Sequence, residues 1–154
     1  MFDMTRYSNI VIFMLFGIGI ITSSFIFCKR QGIEGRVLLV SGNQMPSPDI
    51  PPGPGKGIKT TLYIYELTNL SQVGRLGQSA FYSRVNSKLV KKIVTKDNGY
   101  FKVKLAPGQY SIFLMKDTLF YANRFDDKNN IHPVAVSPKK MTKIEVKMDY
   151  SAVY

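Results

Sequence analysis

The chain has 154 residues, with 21 Lys and Arg against 10 Asp and Glu, a formal net charge of +11 and a sequence pI near 9.8. One cysteine excludes an internal disulfide framework and every multi-cysteine zinc or iron–sulfur site, and one histidine excludes the two- and three-histidine zinc centres of metallohydrolases. The length suits one domain with a real core, and a hydrophobic content of 45% excludes wholesale disorder.

Residues 10–21 read IVIFMLFGIGII, twelve positions without a polar side chain. Thr22, Ser23 and Ser24 follow, then Phe25, Ile26, Phe27 and Cys28, with only Asp3, Arg6 and the terminal amine charged upstream. A short n-region, an apolar run and a more polar end make the pattern of a secretory signal. The run is apolar on every side, which argues against a surface helix of a soluble domain. Its end at Cys28, followed by Lys29 and Arg30, resembles a bacterial lipoprotein signal. In those proteins the first mature residue is a cysteine whose thiol receives a diacylglyceryl group, so the resemblance implies lipid attachment at Cys28. The pattern is broken at Phe27, where a small residue is usual. The same 18 residues, 10–27, reach the lower limit for an uncleaved transmembrane helix. The cations after the segment weigh against that orientation. Simple secretion is the third reading. All three place residues 30–154 outside the cytoplasm, and the location expected, with an anchor, is the cell envelope on the periplasmic or outer-surface side. Residues 1–27 are then a signal or anchor segment and 28–31 a short tether.

From Gly32 the pattern changes to period two, the signature of strands. Residues 33–40 place Ile33, Val37 and Leu39 on one face. Residues 41–57, SGNQMPSPDIPPGPGKG, hold five of the eight prolines and four of the twelve glycines, which predicts a long loop. Residues 60–67 form a second strand with Leu62 and Ile64 on one face and Tyr63 and Tyr65 on the other, which reads as a central strand. Residues 69–88 lose the alternation; Asn69 or Ser71 caps a short helix over 70–73, and the rest reads as an irregular loop. Strands follow at 89–95, 100–105 and 109–115, separated by turn signals at Asp97-Asn98-Gly99 and Pro107-Gly108 that read as hairpins. Phe101, Val103 and Leu105 point inward, with Tyr100, Lys102 and Lys104 outward. Tyr110, Ile112 and Leu114 share one face of the next strand. A short strand at 134–136 and a last one at 143–150, with Ile144, Val146 and Met148 inward, complete about seven. The prediction is an all-β, seven-stranded antiparallel β-sandwich preceded by an N-terminal apolar helix.

The stretch 95–113, TKDNGYFKVKLAPGQYSIF, resembles the carboxypeptidase regulatory-like domain. Thr95, Asp97, Gly99, Phe101, Leu105, Pro107, Gly108 and Tyr110 carry the likeness, and Gly35-Arg36-Val37 is similar to that family's first strand. The resemblance implies a transthyretin-like (prealbumin-like) sandwich over residues 32–154, departing from the pattern at loops 41–57 and 69–88. It also implies that Phe101 and Tyr110 pack together. The signal, the Cys-Lys junction and the loop 43–49 together resemble small lipoproteins of Bacteroidetes-type bacteria. That likeness implies a location and a fold, and no chemistry.

A metallocarboxypeptidase site needs two histidines and a glutamate; this chain has only His132, which reads as a surface loop residue. The run 126–130, DDKNN, offers oxygens to a calcium ion but lacks the spacing and glycine of an EF-hand and reads as a solvated turn. No catalytic residue, cofactor or metal is expected. Between Arg75 and Lys104 lie eight cations and a single acid, Asp97. Interleaved Lys and Tyr suit nucleic acid, but an exported chain seldom meets it, so no nucleic-acid partner is expected. The partners expected are a membrane, through the lipid or the helix, and an anionic lipid, a glycan or an acidic protein at a face carrying Tyr63, Tyr65, Tyr100, Lys102 and Lys104. The function expected is that of a non-catalytic, membrane-anchored binding or structural module. The alternative is a carbohydrate-binding module using a Tyr-rich outer face, unless loop 69–88, with Phe81 and Tyr82, covers it.

Overall fold

The computed structural model describes residues 31–45 and 53–154. The expected N-terminal helix, Cys28 and most of the tether therefore lie outside the described residues. Eleven strands are present among those described: β1 (Gly32–Asn43), β2 (Lys56–Gly57), β3 (Thr61–Glu66), β4 (Val73–Arg75), β5 (Phe81–Val85), β6 (Leu89–Val94), β7 (Tyr100–Lys104), β8 (Gly108–Lys116), β9 (Leu119–Tyr121), β10 (Pro133–Val136) and β11 (Met141–Val153). The fold is all-β and sandwich-like.

The strands form two sheets. In the smaller one β1 is central, with β11 on one side and β7 and β2 on the other. The larger sheet runs β4-β5-β9-β8-β3-β6, with β10 also paired to β8. Every pairing is antiparallel except β1 with β11, which run parallel from Gly32 opposite Met141 to Asn43 opposite Val153. This corrects the expectation of a wholly antiparallel, seven-stranded arrangement. The seven expected strands are all there, and β2, β4, β5 and β9 are added to them.

Alternation decides what each sheet buries. Ile33 and Val37 of β1, Phe101 and Val103 of β7, and Val146 and Met148 of β11 meet Leu62 and Ile64 of β3 and Tyr110, Ile112 and Leu114 of β8 in one core. Burying a side chain of this size contributes roughly 1.5–3 kcal/mol. A second cluster covers the other face of the larger sheet. There Tyr65 and Phe113 lie beneath Tyr82, with Ile131 and Ala122 beside them and Val73, Val85 and Leu70 at the margin. The segment 69–88 is thus not an irregular loop. Asn69 caps a single 3-10 turn, Leu70–Gln72, and β4 and β5 then pair as a hairpin that joins the larger sheet through β9 and packs Tyr82, Val73 and Val85 against Tyr65 and Phe113.

Both turns read as hairpins are in fact crossings between sheets. β6 belongs to the larger sheet and β7 to the smaller, so 95–99 carries the chain across the core; β7 and β8 are likewise in different sheets. Phe101 and Tyr110 therefore contribute to the core from opposite sheets rather than from neighbouring strands. The first crossing is tightly held. Thr95 Oγ1 accepts a hydrogen bond from the Thr60 N–H at 2.8 Å and donates to the Ile58 carbonyl at 2.9 Å. Gly99 has φ 77°, and a Cβ there would stand 2.2 Å from the Val37 carbonyl oxygen. Only glycine suits that position.

Candidate functional site

The five residues expected to share a binding face lie on two sheets. Tyr63 and Tyr65 are on β3 of the larger sheet; Tyr100, Lys102 and Lys104 are on β7 of the smaller one. Tyr65 is buried, stacked edge-on against Phe113 with centroids 5.6 Å apart. Burial, reinforced by the neighbouring Tyr63, pushes its hydroxyl above the usual phenol range. Tyr63 is half-buried, with Phe120 edge-on at 5.1 Å and the Lys92 ammonium 5.1 Å above its ring. The segment 69–88 covers this side, so a continuous Tyr-rich face is not formed. That corrects the geometry assumed for a carbohydrate platform.

The smaller sheet carries a coherent surface instead. Its register sets Tyr100 opposite Arg36 and Lys102 opposite Glu34, while the parallel neighbour sets Lys143 opposite Glu34 and Glu145 opposite Arg36. The outward side chains of β7, β1 and β11 therefore form one face with Arg36, Lys102, Lys104, Lys143 and Lys147 against Glu34 and Glu145. Lys102 Nζ lies 2.7 Å from Glu34 Oε2, and Lys96 Nζ stands 5.5 Å over the Tyr100 ring. A shallow depression of about 350 Å³ opens among Glu34, Arg36, Tyr100, Lys143 and Glu145. A face with more cations than anions favours an anionic surface or ligand. Sequence reasoning found Tyr100, Lys102 and Lys104 but missed Arg36, Lys143 and Lys147. The alternation of Lys143, Glu145 and Lys147 against Ile144, Val146 and Met148 was legible; the parallel pairing that brings them beside β1 was not.

The remaining candidate groups serve structure. His132 is buried, not a surface residue as expected, and has φ 39°. Burial, with Arg124 nearby, lowers its pKa to about 4, so the ring is neutral near pH 7. Asp126 is held within its own loop: Oδ1 accepts from the Lys128 and Asn130 N–H groups at 2.9 and 2.8 Å, and Oδ2 accepts from Asn130 Nδ2 at 2.8 Å. These bonds, that from the Asn130 side chain foremost, hold its carboxyl below the usual range. Among the described residues no group of three or more His, Cys, Asp or Glu is placed to hold a metal ion, and no helix is long and apolar enough to cross a membrane.

A network missed in the sequence joins the two sheets. Asp149 Oδ1 accepts from the Tyr121 hydroxyl and from Asn123 Nδ2, and Oδ2 accepts from the Tyr154 hydroxyl at 2.7 Å. Burial and the bond to Asp149 push the Tyr121 hydroxyl well above the usual phenol range. Comparison with family models, with curated proteins and with solved structures returned no match.

Proposed function

We propose that the chain is an exported β-sandwich of the carboxypeptidase regulatory-like, prealbumin-like type, held at a membrane through Cys28 and acting by binding rather than catalysis. The observation that carries this is a spacing. The N-terminal segment 10–27 ends at Cys28, and β1 starts at Gly32, so only residues 28–31 separate the attachment point from the sandwich. Four extended residues span about 14 Å, which keeps the domain at the membrane surface. A lipid pair on one cysteine supplies stable anchoring.

The family assignment is supported by the positions of its motif residues. Thr95 and Gly99 lock a crossing between sheets, and Phe101, Leu105 and Tyr110 enter the core. A binding role is supported by the basic face of β7, β1 and β11. Lysines that close to anionic headgroups contribute about 1 kcal/mol each. In the chain's native host, metabolic labelling with a palmitate analogue should mark the protein, and a Cys28→Ala variant should lose the mark. Labelling that survives in the variant contradicts attachment at Cys28.

A further inference from the structure

β11 is thirteen residues long, paired on one side with β1, and among the described residues it terminates its sheet on the other. In a parallel pair, alternate residues turn both peptide groups toward the partner. The Gly32 N–H donates to the Lys140 carbonyl, whereas the Asp149 N–H donates away from β1, to the Tyr121 hydroxyl. Even-numbered residues through Met148 therefore face β1, and the peptide groups of Met141, Lys143, Glu145 and Lys147 face outward. At Asp149 the edge is closed by Tyr121 and Asn123. Among the described residues the stretch with unpaired outward peptide groups is thus 141–147, with Ile144 at its midpoint and, on the core side, the Thr142 hydroxyl donating to the Ala135 carbonyl of β10 at 2.9 Å. Two hollows of about 520 and 480 Å³ lie along this stretch, one beside Ala135 and Ser137, the other beside Asn123 and Arg124.

An open strand edge is a template for another strand, and the charges along this one specify which. Laid antiparallel on a second copy about a twofold axis at Ile144, the stretch places Lys143 opposite Glu145 of the other chain, and does so twice. Met141 then faces Lys147, and the two Ile144 side chains meet at the axis. Moving the axis by one residue, to Lys143 or to Glu145, sets Lys143 against itself in the first case and Glu145 against itself in the second, and like charges directly opposite are destabilising. An axis at Val146 would restore opposite charges but needs the edge at Asp149, which is closed. We propose that the occupant of this edge is β11 of a second copy, giving a twofold-symmetric dimer with one sheet continuous across both chains. The axis is normal to the sheet, so both basic outer faces look the same way. The inference stands independently of anchoring at Cys28.

Charge reversal tests it. The full chain in detergent micelles, with protein mass measured by light scattering, should be a dimer. Glu145→Lys or Lys143→Glu alone turns two attractive pairs into two repulsive ones and should weaken association by roughly tenfold or more. The double exchange, Lys143→Glu with Glu145→Lys, restores both pairs and should restore the dimer. Both side chains are exposed, so the variants keep the fold, which circular dichroism verifies. A monomeric parent chain, a dimer indifferent to the single reversals, or a double exchange that stays monomeric overturns the proposal.

Discussion

The Tyr121 hydroxyl donates to the Asp149 carboxylate at 2.5 Å and accepts from the Asp149 N–H at 3.2 Å, binding β9 of one sheet to β11 of the other. The tyrosine ring is itself in the core, 2% exposed, so a single side chain contributes packing and a charged hydrogen bond. Tyr121→Phe keeps the ring and removes the bond. Hydrogen bonds to charged groups are worth about 1.5–3 kcal/mol, and urea unfolding at neutral pH should show a loss of that size. An unchanged midpoint would mean that Asn123 and Tyr154 alone satisfy the carboxylate.

His132 predicts an acid-sensitive fold. Its pKa is about 4 in the fold, against an ordinary value of 6.5. As pH falls below 6.5 the unfolded state takes up the proton first, so the contribution present above 6.5 is lost progressively down to about 4. The full shift corresponds to about 3 kcal/mol. Asn tolerates the positive φ at this position, so His132→Asn is the suitable replacement. Comparing unfolding at pH 7.5 and 4.5, the parent should lose about 2–3 kcal/mol more than the variant. Carboxylates titrate equally in both, and equal losses would contradict the assignment.

Gly99 tests the crossing between sheets. Gly99→Ala places a Cβ 2.2 Å from a backbone oxygen at φ 77°. The strained backbone alone costs about 1–3 kcal/mol, and the clash adds to it, so the melting temperature should fall by several degrees. A thermal scan of the two proteins decides this. An undisturbed variant would mean that the 95–99 crossing is not as drawn.

Thr95 has an independent signature. Thr95→Val is nearly isosteric but leaves the Thr60 N–H without its side-chain acceptor and the Ile58 carbonyl without that donor. Leaving a buried group unsatisfied costs about 1–3 kcal/mol. Native-state hydrogen exchange should show the Thr60 amide losing protection in the variant, with the amides of β5, three strands away from β3 in the sheet, unaffected below global unfolding.

The parity of the strands was legible because period two is written residue by residue: Leu62 and Ile64 against Tyr63 and Tyr65, and Phe101 and Val103 against Lys102 and Lys104, face as expected. The Asn69 cap was legible because its side-chain chemistry is local. What failed was partnership. Asp97-Asn98-Gly99 and Pro107-Gly108 turn the chain equally well within a sheet or between sheets, and nothing in a turn's residues reports which. β4 and β5 escaped because Gly74, Ser83 and Arg84 interrupt their apolar alternation; β5 buries only Tyr82 fully. His132 looked like a surface residue because Pro133 follows it in a loop, but its N–H donates to the Arg124 carbonyl and its carbonyl accepts from the Ile112 N–H, long-range pairings that hold a buried residue in place. The basic face and the open edge of β11 both depend on the parallel pairing of the first and last strands, a contact that no local pattern encodes.

The central claim is attachment to a membrane through Cys28, and the mass of the mature protein tests it most directly. Extracted from membranes of its native host and analysed intact, the chain should begin at Cys28 and carry the added mass of a diacylglyceryl group. A chain with an unmodified Cys28 thiol, whether it starts at Met1 or after some other cut, would contradict the account.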